Sequence, residues 1–237
     1  MSNIRLFFPE SLSLNLSSKL DKYQSHYISK VMRIKVSGTF SLFNSSGEWE
    51  AKINEISKGL VKFTVIKHLR HKESPKEIWL AFSPIKSNYF NFMIQKSTEL
   101  GITKFFPIIF ERTIVRKINK TRLEKIIIEA SEQSNRIKVP EIKNLVNFKD
   151  FINKFPKDGL IIFCDINSKK ENPDKILFEK NKRPICILIG PEGDFSEFER
   201  QSIIDIKQSK SLSLSSNILR AETAAIAAIS IINFYLE

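Results

Sequence analysis

The stretch Pro184–Glu199, PICILIGPEGDFSEFE, decides the fold of this chain. Its first half is a continuous apolar run, which is typical of a strand that is covered on both faces of a parallel sheet. Its second half places two glycines around Pro-Glu and then Ser196 and Glu199, an S-x-x-E capping box that opens a helix. A buried strand, a tight loop and a capped helix predict one repeating unit of an α/β domain.

The same alternation extends to both sides of this stretch. Apolar runs and helix-like stretches follow one another from Glu77 to the end of the chain, which predicts an α/β domain with a mostly parallel sheet. We expect strands over 77–83, 104–110, 160–165, 184–190 and 211–215, and helices before Gly101 and over 120–136, 147–154, 173–180, 196–207 and 221–236.

The first 68 residues are organised differently. Short segments rich in β-branched and aromatic residues predict strands over 4–8, 39–43, 48–56 and 60–68, with a helix over 19–34. A small β-barrel with one helix is the simplest arrangement. The polar stretch 69–76 predicts the boundary, so we expect domains at residues 1–72 and 73–237.

The charge of the chain is strongly basic. It carries 38 Lys and Arg against 26 Asp and Glu, a net charge of +12. Residues 1–72 hold 12 of the basic and 5 of the acidic side chains. Such an excess favours a polyanionic partner such as nucleic acid, although a solubility function or a general lysine bias explains the total equally well.

Cysteine usage and hydropathy indicate a cytoplasmic protein without a membrane partner. Cys164 and Cys186 lie inside apolar runs, so we expect buried, reduced thiols. No Cys/His group has zinc spacing, and His68 with His71 is interpreted as a solvated pair, so no metal is expected. The sequence begins without a signal-peptide pattern and has no apolar run of membrane-spanning length.

The predicted ligand site follows from the sheet. In open α/β sheets, ligands bind beyond the carboxyl ends of the strands. The loop Gly190–Ser196 stands there, and its glycines permit close approach of the backbone to a ligand, although an ordinary βα turn has the same composition. The loop matches neither a phosphate-binding GxxxxGK[ST] nor a dinucleotide GxGxxG motif, so ATP and NAD are not indicated.

Charged residues next to the predicted helices are candidates for chemistry. Arg220 opens the last helix, where the helix dipole disfavours a cation, so it is either aimed at an anion or paired with Glu222. One face of the predicted helix carries Glu129, Glu132, Gln133 and Arg136. These side chains are either functional or, as on most charged helix faces, simply solvated.

Two groups of basic residues are further candidates. Arg112, Arg116 and Lys117 follow the second strand of the α/β domain and add basic charge near the same sheet edge. In the N-terminal domain, the candidates for contacts with RNA phosphates are Arg5, His26, Arg33 and Lys35.

Six motifs in order along the chain resemble one known family. They are HYISKVMR (26–33), KSTELG (96–101), ERTIV (111–115), IIIEASEQSNRIKVPEI (126–142), LIGPEGDFSEFE (188–199) and LSLSSNILRAETA (212–224). Together they resemble the 16S ribosomal RNA uridine-N3 methyltransferase family of the SPOUT superfamily, over nearly the whole chain. Two positions depart from the family pattern, because Asp194 and Ser215 stand where glycine is common.

The resemblance implies a fold, a reaction and partners. It implies an N-terminal PUA-like β-barrel that helps to bind RNA, and a C-terminal α/β domain tied in a trefoil knot that holds S-adenosylmethionine. It further implies a homodimer that methylates N3 of a uridine in 16S rRNA of the small ribosomal subunit, without a metal.

The resemblance also assigns residues by position. Arg220 would be the leading active-site arginine, and Arg136 and Arg112 match the RNA-contacting helix and loop. The donor-binding segments would be formed by Leu188, Ile189, Gly190, Pro191, Glu192, Gly193, Leu214, Ser215, Asn217, Ile218, Leu219 and Thr223.

The chemistry sets the catalytic hypothesis. Uracil N3 carries a proton and is a poor nucleophile until that proton leaves. We expect Arg220 to stabilise the developing anion and Glu129 or Glu222 to accept the proton. The alternatives are a non-catalytic RNA-binding ribosome-assembly factor, a SPOUT enzyme that acts on another RNA such as a tRNA ribose, and a nucleotide-binding enzyme, which the missing phosphate loops disfavour.

Overall fold

The computed structural model describes residues 4–72, 74–168 and 184–236. They form two compact units: residues 1–74 with 131–139, and residues 75–130 with 140–237. The segment 131–139 belongs to the first unit, whereas the sequence places it in the second domain. The functional division at residue 72 stays a prediction. Within the described residues, no helix is both long and apolar enough to cross a membrane.

The first unit contains a five-stranded sheet in the order β1-β3-β4-β5-β2. The pairing is antiparallel except between β1 and β3. Four strands agree with the predicted segments; β2 is too short and polar to be recognised. The elements are β1 Arg5–Phe7, β2 Ser17–Lys19, α1 Lys22–His26, a π-helical turn Tyr27–Val31, β3 Thr39–Asn44, β4 Gly47–Ser57 and β5 Leu60–His71.

Two of these bounds and the environment of one histidine correct the sequence expectations. The helix expected over 19–34 is only one α-helical turn followed by a π-helical turn, and it ends at Val31. Residues 69–71, expected in the linker, complete β5. His68 is not simply solvated, because its ring packs on Trp49 with centroids 4.3 Å apart.

A buried ion pair organises the first unit. Arg5 and Glu48 have side chains only 7% and 5% exposed, and they pair at 3.0 Å. Arg5 also donates to the main-chain oxygens of Ser131, Glu132 and Arg136, at 2.8–3.2 Å. Because two further bonds reach Glu48, all five guanidinium N–H donors are used. The pair therefore fastens the segment 131–139 to the sheet.

Replacing Glu48 by alanine should strongly destabilise the first unit. The change leaves the buried Arg5 guanidinium without its counter-ion, which costs about 3–5 kcal/mol. Urea unfolding followed by tryptophan fluorescence should show a clearly lower midpoint. Glu55→Ala is the matched control, because its ion pair with Lys62 lies at the surface. Equal midpoints for the two variants would contradict a structural function of the buried pair.

The second unit is built on a parallel sheet, which confirms the predicted α/β class. The strand order is β12-β10-β11-β6-β7-β8, and β9 pairs with β7. All these pairings are parallel. The elements are β6 Ile78–Phe82, α2 Ser87–Glu99, β7 Lys104–Ile109, α3 Lys120–Gln133, β8 Glu141–Ile142, β9 Val146–Asn147, α4 Phe148–Lys154, β10 Leu160–Cys164, β11 Ile185–Ile189, α5 Glu197–Ile204, β12 Ser209–Leu212 and α6 Ala221–Leu236.

The sheet is covered by helices, as its composition requires. Every residue of β11 is buried. Phe151 of α4 and Ile203 of α5 join strand residues in one apolar cluster. Helix α6 packs against β11 and against α2. The strand expected over 211–215 begins earlier, at Ser209, and the helix expected over 173–180 lies outside the described residues.

The chain order places a ligand cleft at one edge of this sheet. The strands run outward from β6 to β8 and then return to β10 and β11 on the other side of β6. Because the strands are parallel, their carboxyl ends share one edge, and a cleft opens where the strand order reverses. The residues that follow β10, β11 and β12 therefore meet there.

Candidate active site

A cavity of about 820 Å³ lies at this carboxyl edge. This is within the range of small-molecule sites. Its walls come from the segments after β10, β11 and β12 and from the first turns of α2 and α6. The lining residues are Lys86, Tyr89, Cys164, Asp165, Ile166, Ile189, Gly190, Pro191, Glu192, Gly193, Asp194, Phe195, Leu212, Leu214, Ser215, Asn217, Ile218, Leu219, Arg220, Ala221 and Ala224.

Phe195 fixes the loop that follows β11. Its ring is 6% exposed and packs edge-on against Phe110 at 5.0 Å and Phe163 at 5.1 Å. A side chain at Gly190 would place Cβ 2.4 Å from Cε2 of Phe195. Glycine is thus required at position 190 by the ring beneath it.

Asp194 adopts the backbone conformation that glycine favours. Its φ is 62°, in the left-handed region that aspartate tolerates better than most residues. Its Oδ1 accepts a hydrogen bond from the Phe195 amide at 2.8 Å. Aspartate at this position is therefore compatible with the left-handed backbone of the turn.

The predicted capping box is present at the end of this loop. Ser196 Oγ accepts from the Glu199 amide at 3.3 Å, and Glu199 Oε2 accepts from the Ser196 amide at 3.1 Å. The box ends the loop and starts α5 at Glu197.

Arg220 projects at the mouth of the cavity. The side chain is exposed, and its guanidinium carbon lies 5.6 Å from the ring centroid of Tyr89 on α2. The alternative pairing with Glu222 is wrong, because these two described side chains form no ion pair. Glu222 is 8% exposed. A cation next to an open cavity suits an anionic group of a ligand.

Asp165 is a cavity residue that the sequence reasoning missed. It follows β10 directly, and its carboxylate is 4% exposed and pairs with Arg200 of α5 at 2.6 Å. This pair and the neighbouring acids raise the pKa of Arg200. The rule that ligands bind beyond strand ends, applied to β10 as it was to β11, would have found Asp165.

Cys164 is not equipped for nucleophilic catalysis. Burial raises its pKa to about 12, so the side chain stays a thiol at neutral pH. Burial also raises the pKa of Cys186. Both are free cysteines, as expected, although only Cys186 is fully buried and Cys164 is half-buried.

Most of the predicted donor-binding residues meet in the cavity. The lining includes Ile189, Gly190, Pro191, Glu192, Gly193, Leu214, Ser215, Asn217, Ile218 and Leu219. Leu188 is instead fully buried in β11, and Thr223 is exposed on α6. Neither of these two lines the cavity.

The two predicted proton acceptors lie elsewhere. Glu129 is exposed on α3, and Glu222 is buried at the start of α6, outside the cavity lining. The carboxylates that do line the cavity are Asp165, Glu192 and Asp194. Among the described residues, no group of His, Cys, Asp and Glu is arranged to hold a metal ion.

The residues predicted to contact RNA differ in solvent exposure. Arg5 is a correction, because its buried guanidinium is saturated by protein acceptors and has no donor left for a phosphate. His26 and Arg33 are exposed, and Arg33 has a φ of 57°. Arg136 is half-buried in the first unit. Arg112 is exposed in the second unit and donates to the Gly193 carbonyl at 3.1 Å.

Comparison with known proteins identifies the family. The family described as "RNA methyltransferase domain" matches residues 72–233, and "RNA methyltransferase PUA domain" matches residues 20–66. The chain belongs to the RNA methyltransferase family. The predicted PUA-type N-terminal unit and the resemblance found in the six motifs are thereby confirmed.

Members of the RNA methyltransferase family resemble the chain over nearly its full length. Ribosomal RNA small subunit methyltransferase E of Rickettsia conorii is 35% identical over 229 residues, covering 95% of this chain and 93% of that protein. The protein of the same name from Buchnera aphidicola (Acyrthosiphon pisum) is 36% identical over 235 residues, covering 95% and 91%.

Solved structures from the RNA methyltransferase family have the same fold. Ribosomal RNA small subunit methyltransferase E from Neisseria gonorrhoeae, bound to S-adenosyl methionine, has a TM-score of 0.89 at 28% identity, covering 98% of this chain and 97% of that one. A methyltransferase from Legionella pneumophila in complex with the cofactor SAM has a TM-score of 0.87 at 29% identity, covering 99% and 98%.

Substituting Gly190 by alanine should disrupt the cavity. The new methyl group meets the buried Phe195 ring, and overpacking of this kind costs about 1–3 kcal/mol. Gly193→Ala is the matched control in the same loop, because its Cβ would lie 3.5 Å from the nearest atom, in ordinary contact. Thermal unfolding should show a lower Tm for Gly190→Ala only; a similar Tm for both variants would refute the packing argument.

Proposed function

We propose that the chain transfers the methyl group of S-adenosylmethionine to N3 of a uridine in 16S rRNA of the small ribosomal subunit. The observation that carries this proposal is the cavity between the segments 190–195 and 212–221, at the carboxyl edge of the parallel sheet. The names of the relatives and the donor bound in two similar structures support the reaction and the cofactor.

The cavity fits the donor in size and chemistry. Its apolar side chains, such as Leu214 and Leu219, suit an adenine ring, and its carboxylates suit hydroxyl and ammonium groups. Residues 213–219 belong to neither helix nor strand, so most of their peptide groups are not consumed by regular secondary structure. Such irregular backbone beside a cavity offers donors and acceptors to a ligand.

Arg220 would act on the acceptor base. The bound donor supplies an electrophilic methyl group at its sulfonium. Deprotonation of uracil N3 spreads negative charge over the two flanking carbonyl oxygens, and the unpaired guanidinium at the mouth of the cavity is placed to stabilise that charge. The base must be unpaired or flipped out to reach it, because N3 lies on the pairing edge.

The proton acceptor, Glu129 or Glu222, remains a hypothesis from the chemistry of the reaction. Glu222 follows Arg220 by two residues and is buried, whereas Glu129 is exposed on α3. A carboxylate accepts the N3 proton only within hydrogen-bond reach of the base. Glu222→Gln removes the carboxylate and preserves the shape of the side chain. We expect it to lower methyl transfer if Glu222 accepts the proton, and to leave methyl transfer unchanged if Glu129 does.

The N-terminal unit offers a surface suited to RNA. Around α1 and the π-helical turn, Lys22, His26, Lys30 and Arg33 are exposed, and the Tyr23 ring is 74% exposed among them. Cationic side chains neutralise phosphates, and an exposed aromatic ring stacks on unpaired bases. Arg136 and Arg112 remain further predicted contacts.

Assembly and cellular location also remain predictions. The family resemblance implies a homodimer and a trefoil knot, and the cysteine usage and hydropathy of the sequence indicate a cytoplasmic protein. Large apolar side chains are exposed on the packed helices α2 and α6: Tyr89, Phe92 and Phe234. Exposed apolar side chains on two packed helices support self-association.

The direct test is methyl transfer to small ribosomal subunits from a strain that lacks the gene. With labelled S-adenosylmethionine, we expect label in 16S rRNA, recovered as 3-methyluridine by nucleoside mass spectrometry. Label in another nucleoside or another RNA would identify a related enzyme with a different target. RNA binding without donor binding would identify a non-catalytic assembly factor.

Replacing Arg220 by alanine should remove catalysis and preserve the fold. Loss of one charge-stabilising donor lowers kcat roughly 10²–10³-fold. Steady-state kinetics on small subunits should show this fall, with the Tm unchanged because the side chain is exposed. Arg122→Ala, an exposed arginine on α3, is the control. Full turnover by Arg220→Ala would exclude the assigned function of this arginine.

A further inference from the structure

The turn that follows β7 contacts the loop Gly190–Ser196 directly. This turn, residues 110–113, closes on itself through hydrogen bonds between Phe110 and Thr113. Thr113 Oγ1 also shares a hydrogen bond of 2.8 Å with Ser83 Oγ, at the end of β6. The turn is therefore anchored to two strands and provides a fixed support beside the loop.

Glu199 joins this turn to the loop. The side chain belongs to the capping box of α5 and is buried, with 7% of its surface exposed. One carboxylate oxygen accepts from the Ser196 amide, as the box requires. The other accepts from the Glu111 amide at 2.8 Å, which a capping box does not require. Both oxygens are thus used, one on each side of the contact.

Arg112 makes a second connection between the same two segments. Its Nη1 donates to the Gly193 carbonyl at 3.1 Å. Its aliphatic stem also lies along the loop, because a Cβ at Gly193 would be 3.5 Å from the Arg112 Cβ. The guanidinium therefore holds the loop at its centre, and Glu199 holds it at its end.

We propose that Arg112 and Glu199 are positioning residues for the methyl donor. They hold the loop Gly190–Ser196 in the geometry in which its backbone lines the cavity. This inference rests on the proposed function of the cavity, and it gives Arg112 a function other than the predicted RNA contact. Neither side chain lines the cavity, so both act through the loop.

The physical reason is preorganisation. The loop contains one residue, Asp194, in the left-handed region, and its ends are a strand and a helix cap. A loop that is ordered before binding leaves less conformational entropy for the ligand to offset. Release of Gly193 or of the Ser196 end should therefore weaken donor binding more than it slows transfer from bound donor.

Arg112→Ala tests the connection at the centre of the loop. Calorimetric titration of the full-length protein with S-adenosylmethionine, without RNA, should give a Kd raised about tenfold. The Tm should stay unchanged, since the side chain is exposed. Lys117→Ala, a nearby exposed cation, should bind the donor like the unmodified chain. Unchanged donor affinity of Arg112→Ala, with weakened rRNA binding in a filter assay, would overturn the proposal in favour of phosphate contact.

Glu199→Gln tests the connection at the end of the loop. A glutamine cannot accept from both amides, because its NH₂ group must face one of them. We expect a raised KM for the donor with kcat at saturating donor within about threefold of the unmodified chain. Glu197→Gln is the control, because Glu197 is an exposed acid in the first turn of the same helix. Loss of kcat with unchanged donor KM would overturn the positioning function.

Hydrogen exchange of the donor-free protein separates this inference from the proposed function. In Arg112→Ala and Glu199→Gln, amides of residues 192–196 should exchange faster, whatever ligand the cavity takes. If exchange is faster in the variants but the unmodified chain does not bind S-adenosylmethionine, the proposed donor is refuted and the function of Arg112 and Glu199 in holding the loop is retained. Unchanged exchange in both variants would refute that function.

Discussion

The packing of Phe195 between Phe110 and Phe163 is the interaction on which the site depends. Phe110 directly follows β7 and Phe163 lies in β10, so the contact of both with Phe195 fixes the loop after β11 onto two other strands of the sheet. The ring excludes any side chain from Gly190, which lets the backbone turn sharply over it. The capping box and Asp194 then complete the loop, and the open side of this loop becomes a wall of the cavity.

The N-terminal unit depends on a different kind of interaction. There the buried Arg5–Glu48 pair helps to attach residues 131–139 to the sheet. A buried ion pair contributes little net stability but is costly to break, so it specifies one arrangement of the segment. The segment contains SEQSNR (131–136) of the motif IIIEASEQSNRIKVPEI, so this part of the motif and Arg5 belong to one structural feature.

Local patterns in the sequence predicted much of this. The continuous ICILI run and the S-x-x-E box were sufficient to predict β11 and α5, because both depend on neighbours along the chain. The family resemblance, and not a local pattern, supplied the predicted donor-binding residues, ten of which line the cavity. The π-helical turn and the three-residue β2 were missed, since neither has a periodicity of its own.

Contacts between distant segments were not predictable. In the sequence, Arg5 and Arg112 resemble any surface cation. Only the structure shows that residues 131–136 supply acceptors for Arg5, and that the Gly193 carbonyl accepts from Arg112. Glu199 was recognised as a cap, but its second bond to Glu111 spans 88 positions of the chain. Such pairings depend on the sheet order, which the sequence pattern does not specify.

The proposed function requires that the cavity between the segments 190–195 and 212–221 holds the methyl donor. Ultraviolet cross-linking of S-adenosyl-L-[methyl-³H]methionine, followed by peptide mapping, tests it most directly. The account predicts label on peptides that contain residues 190–195 or 212–224, and its suppression by unlabelled donor. Label confined to other peptides, under conditions in which the donor binds, would contradict it.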